Sequence, residues 1–195
     1  LIDCDILTVA TNATVTSIQI SSGSITIINP SVPFTVNGVL TITGELEMAD
    51  GSVVDAGGDV TVAAAGTLDM DGTSRLKMEG DLSFSGILEA SDDSRIDLDG
   101  DTEQTIFGTP STNPTINRLF CSSSATVFNL TATINDTLDA GGEDFTISNG
   151  KTLTMETGSV TILSGGTWYR QGILTLQSDS KVLYTTSNQS TMDGL

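Results

Sequence analysis

Asp97, Asp99 and Asp101 stand at alternate positions in DLDGD, the densest set of hard oxygen ligands in the chain. Calcium takes six to eight oxygens from such groups, so this stretch is a candidate calcium site, with Asp69 and Asp71 in LDMDG next. A second set, Glu47, Asp69 and Glu89, recurs once per sequence unit in GELEM, GTLDM and GILEA. It can act together only if the units stack, which would bring the carboxylates to about 5 Å of one another. Unneutralised carboxylates that close repel one another and favour a bound proton or a divalent cation. The same separation would suit the acid and nucleophile of a retaining glycosidase. However, similar carboxylates recur on nearly every unit and no aromatic platform for a sugar lies near them. The loops are also too short to wall a cleft, so catalysis is not the expected role. Histidine is absent, which removes the commonest general base and leaves a Ser or Cys nucleophile without its usual partner. Asp55, Lys77 and Asp97 should form a column of alternating sign.

The chain says nearly the same thing twice: VDAGGDVTV (54–62) returns as LDAGGEDFTI (138–147), and GTLDM (66–70) as KTLTM (151–155). GILEASDDSRIDL (86–98) likewise returns as GILTLQSDSKVLY (172–184). A shorter period lies inside the longer one, with units opening at Gly44, Gly66 and Gly86. Each unit holds three short runs with apolar residues at every second position, such as Val60-Thr-Val62, Leu68-Asp-Met70 and Leu76-Lys-Met78, separated by Gly, Asp and Ser. Period two with turn residues between predicts strands with one buried face and essentially no helix. Near-identical units of about 21 residues have no consistent partners in a hairpin sandwich, the competing reading. Coiling gives each strand its own equivalent as a parallel partner, so like residues form ladders, and Leu46, Leu68 and Leu88 should be one. The expected fold is therefore an all-β, right-handed parallel β-helix, or β-solenoid, with three short strands per turn and roughly nine turns.

Composition narrows the partners. Seven Lys and Arg against 25 Asp and Glu give a net charge of −18, with no basic residue before Arg75. Nucleic acid is disfavoured as a partner, as is an anionic membrane surface. No run approaches the length of a membrane span. The chain opens at Leu1 without Met or a signal peptide, and it reads as a mature or excerpted segment.

One continuous solenoid over 1–195 fits better than two domains, with 101–118 (DTEQTIFGTPSTNPTINR) as an irregular loop or protruding turn within it. ATVTSIQISSGSITI, FTVNGVLTITGELEM, DTEQTIFG and FTISNGKTLTM resemble the β-helical repeat regions of large secreted bacterial surface proteins, among them adhesins and autotransporter-like passengers. The resemblance covers most of the chain through degenerate motifs that report mainly fold. It implies an extracellular or cell-surface structural role. The expectation is a non-catalytic fibre or adhesin-stalk segment that packs end to end as a homo-oligomer, requires no cofactor, has calcium as an optional ligand, and meets surface glycans. A carbohydrate-binding or carbohydrate-cleaving β-helix with its site near 101–118 is the alternative.

Cys4 alternates with Ile2 and Ile6, and Cys121 takes the place of Ile20 when RLFCSSSATVF is laid on SIQISSGSITI. Both should point inward as free thiols, about five turns apart and beyond the reach of a disulfide. Asn12, Asn129, Asn135 and Asn188 open glycosylation sequons. Trp168, aligned with Leu82, should enter the core, and Arg170 aligns with Phe84. Threonines in runs such as TVT and TIT show no flat ladder that repeats from turn to turn.

Overall fold

A computed structural model describes residues 6–11, 13–28, 33–141, 144–184 and 191–193. Among these, every regular element is a strand, and every strand pairing is parallel. The chain visits three sheets in turn. Sheet I begins with Ile6–Val9, sheet II with Ala13–Val15 and sheet III with Ile18–Ile20, and the cycle then returns to sheet I at Ser24–Ile27. Each strand lies on its equivalent one coil away, so the fold is a parallel β-helix. Sheet III has nine strands, which makes about eight turns rather than nine.

The registers make the sequence ladders literal. Leu68 pairs with Leu46 below and Leu88 above. On sheet III, Ile18, Leu40, Val60, Leu82, Ile106, Phe128 and Ile147 form one inward column, with members 19 to 24 residues apart. On sheet II, Phe34, Val54, Leu76, Ile96, Leu119 and Leu138 form another. These residues form one core that runs through the stack. Every fully buried aliphatic side chain contributes about 1.5–3 kcal/mol relative to exposure, so the chain needs few rings to hold this shape.

The glycine that opens each unit has a steric reason. A Cβ on Gly66 would lie 2.2 Å from the carbonyl oxygen of Ile42, and one on Gly86 2.2 Å from that of Gly66. Only a residue without a side chain lets consecutive coils close at this corner.

Within 101–118, Gln104–Phe107 belongs to sheet III and Thr115–Cys121 to sheet II, so residues 108–114 are the part that leaves the ladders. They occupy the place of a sheet I strand, and Ile87–Ala90 is consequently the last strand of that sheet, with Ile87 47 % exposed. Gln104 repairs the corner from inside. Fully buried, it accepts from the Gly100 N–H (2.9 Å) and donates to the carbonyls of Met78 (3.0 Å) and Gly80 (2.6 Å). Beyond the interruption, Ala132–Asp139 runs straight through one corner. Its first half pairs with Thr152–Met155 and its second with Val160–Leu163. The three-strand coil then resumes.

Candidate functional site

The outward face of sheet II concentrates the charged chemistry. Arg75, Arg95 and Arg118 stand in register on three consecutive coils, and beside them runs the column Asp55, Lys77, Asp97, Phe120, Asp139. Three of the seven basic residues thus form one ladder. That stack is stable only if anions separate the guanidinium groups. Asp97, with a side chain 3 % exposed, is bound by both Arg75 and Arg95. Arg95 places Nε 2.7 Å from Oδ1 and donates from Nη2 to Oδ2 at 3.0 Å, while Arg75 reaches Oδ2 through Nε. Arg118 bridges Asp93 (2.6 Å) and Asp136 (2.5 Å). The Arg95 guanidinium also lies 4.3 Å from the centre of the Phe120 ring, a cation–π contact. Together Arg75, Arg95, Asp97, Phe120 and Asp139 line a cavity of about 140 Å³.

The predicted column Asp55, Lys77, Asp97 has the expected register but a different pairing. Lys77 contacts Asp99 at 2.9 Å and Asp55 at 3.6 Å, while Asp97 goes to the arginines. The hydrogen bond to Asp99 is the main reason Lys77 is held above its ordinary pKa. Asp97 and Asp99 are therefore each engaged by a cation of the chain, and Asp101 is exposed. Among the described residues no group of three or more acidic or sulfur side chains is arranged as a metal site.

Glu47, Asp69 and Glu89 stand on one another in sheet I as the spacing required. Thr26, one coil below, donates its hydroxyl to Glu47 at 2.8 Å. Partial burial pushes the Asp69 carboxyl above its ordinary value, with smaller contributions from Asp71, Glu89, Glu47 and Glu45. The native state therefore binds that proton more tightly than the unfolded chain does. Ionised Asp69 costs stability above its native pKa, and the cost disappears as the pH falls through that value to the unfolded one. Asp69→Asn should raise stability at pH 7 by a few tenths to about 1 kcal/mol, less in high salt. Thermal melts of the two proteins should converge once the pH is below the ordinary Asp range. Calcium bound on this column would narrow the difference at pH 7, which a titration with a chelator control reads directly.

Other carboxylates have a structural task that sequence reasoning missed. Asp50, Asp59, Asp81 and Asp144 each accept a backbone N–H from the next coil, from Thr73 (2.8 Å), Asp81 (2.9 Å), Thr105 (2.7 Å) and Thr167 (2.8 Å). Both the N–H and the hydroxyl of Thr73 hold Asp50 below its ordinary pKa. The recurrence of Asp in the turns, one unit apart, was the available signal.

Cys121 is a buried free thiol, and burial pushes it up to about 12. It lies above Leu98 in sheet II, whereas Ile20 is in sheet III, so the alignment placed it on the wrong face although pointing the right way. Cys4, Asn12 and Asn188 lie outside the described residues. Asn129 is half-buried, and Asn135 is exposed and donates to Asn117 Oδ1 at 2.8 Å. Trp168 is buried, but it stands over Phe145, and it is Arg170 that follows the Leu82 column through Ile147. A threonine ladder does exist on the later coils, where Thr115, Thr133, Thr154 and Thr175 are in register. It was hidden because 101–118 shifts the count between its first member and the earlier units.

Comparison with protein-family profiles, with characterised proteins and with solved structures finds no match to this chain. Fold and surface together define a class, the parallel β-helix repeat proteins, whose coils here are joined by apolar ladders inside and carboxylate ties at the turns.

Proposed function

We propose that this protein is a non-catalytic structural repeat, a segment of an extracellular fibre or adhesin stalk whose units stack end to end. The observation that carries this reading is the last full coil. Its inward positions continue the core columns, Leu174 over Leu153 and Leu176 over Met155. Yet Leu176 is 46 % exposed, because no strand follows on that side of sheet II among the described residues. An edge strand with an inward apolar residue in the open is able to pair with an equivalent coil of a second copy, which supports end-to-end packing as a homo-oligomer. Resemblance to repeat regions of secreted bacterial surface proteins supports the extracellular setting, where an acidic surface with screened repulsion keeps such a rod soluble.

Electron microscopy of concentrated protein should show filaments whose axial repeat matches the length of one unit. A strictly monomeric species in sedimentation at high concentration would remove the end-to-end reading. The carbohydrate-binding alternative keeps one specific observation in its favour, the arginine and phenylalanine cavity on sheet II.

A further inference from the structure

The sheet II cavity has the parts of a recognition site, and we infer that it binds the carboxylated monosaccharide unit of an acidic polysaccharide. This inference goes beyond the stalk reading and stands or falls apart from it. Asp97 fixes two guanidinium groups from neighbouring coils against one buried carboxylate, so neither has to be ordered when a ligand arrives. Arg75 uses only Nε for that contact, which leaves its two terminal NH2 groups without a protein partner among the described residues. A planar carboxylate matches that fork with two parallel N–H···O bonds.

The rest of the cavity sets what the carboxylate must be attached to. Phe120 is half-buried on an outward position with the Arg95 guanidinium 4.3 Å from its ring centre, and the two together form a wall that a sugar's C–H face can cover. Asp139 and Ser122 also line the cavity; Asp139 accepts from the Gly141 N–H through Oδ1 (2.9 Å) and has Oδ2 as a second acceptor, and Ser122 donates to the Leu98 carbonyl (3.2 Å) and has its oxygen as an acceptor for a ring hydroxyl group. Two arginines against Asp97 and Asp139 make the lining neutral in sum, so binding of a carboxylate rests on the hydrogen-bonding fork of Arg75 and not on net charge. At about 140 Å³ the space holds a single sugar residue, so neighbouring residues of a chain would lie along the outside of the coils.

Titration of the 15N-labelled protein with sodium glucuronate tests this, because arginine Nε–H signals report each guanidinium. A saturable shift of the Arg75 and Arg95 signals is expected, with Kd on the order of 1 mM for so small a ligand. Methyl glucoside at equal concentration should leave them in place, and sodium acetate should bind about tenfold more weakly. Arg75→Gln should weaken glucuronate about tenfold while Asp97 stays held by Arg95. Lys181→Gln, which removes the same charge from an exposed position in the same column, should change nothing. If Arg75→Gln and wild type respond alike, or no shift saturates, the site is wrong. If acetate binds as well as glucuronate, the sugar part of the inference is wrong. Filament formation is untouched by any of these outcomes, so the two proposals fail separately.

Discussion

Phe145→Ala is expected to destabilise the protein by about 3–5 kcal/mol, the range for emptying a fully buried aromatic site. Phe145 is completely buried in sheet III, between Phe128 at 6.3 Å and Trp168 at 4.8 Å between ring centres. The three rings form a stack across three coils in a core otherwise built mainly from aliphatic side chains. Truncating the middle member opens a cavity and removes both contacts at once, and aromatic pairs add about 0.5–1.5 kcal/mol each beyond area. In a solenoid each coil contacts only its neighbours, so the loss falls on two interfaces and not on the whole stack. The variant should therefore unfold in two steps. Trp168, the single tryptophan, would report an early fluorescence transition from the coils beyond Phe145, and circular dichroism would show the earlier coils melting later. One coincident transition, less than about 1 kcal/mol from wild type, would show that the ring stack is not a structural joint.

Much of this architecture was readable because the inward positions obey a strict period of two within a period near 21. Leu46, Leu68 and Leu88 are on one column because the units that contain them are nearly identical, and identical units have only one way to pair repeatedly. Legibility fell where a residue's role depends on its neighbour one coil away and not on its own unit. Asp97 reads as a ligand next to Asp99 and Asp101 along the chain, but while Arg95 is its neighbour on the same strand, Arg75, 22 residues away, is brought to it only by the stacking. The arginine ladder went unnoticed for the same reason, since Arg118 is reached only after 108–114 has shifted the count. Gln104 illustrates the complementary failure. A polar residue at an inward position breaks the apolar pattern, and its value as a replacement for missing corner hydrogen bonds exists only in three dimensions.

The paired arginines lead to the other large expected effect. Replacing Arg75 and Arg95 together by Met keeps most of the side-chain volume but leaves the Asp97 carboxylate, 3 % exposed, without a cation. Removing the partner of a buried charge costs about 3–5 kcal/mol, because the remaining ion pays its desolvation uncompensated. Either arginine alone still leaves one guanidinium on Asp97, so each single variant should cost much less than half of the double, a strong non-additivity that a mutant cycle reads. Adding Asp97→Asn to the double variant should recover most of the loss, since the buried group is then neutral and of nearly the same shape. Urea denaturation of the single, double and triple variants measures all three. If the double variant equals the sum of the singles and Asn rescues nothing, the arginines act through packing against Phe120, and Asp97 is not the anchor that orders the cavity. Recovery by Asn would tie the stability of this face to one buried carboxylate, the same group that orders the two guanidinium groups of the cavity.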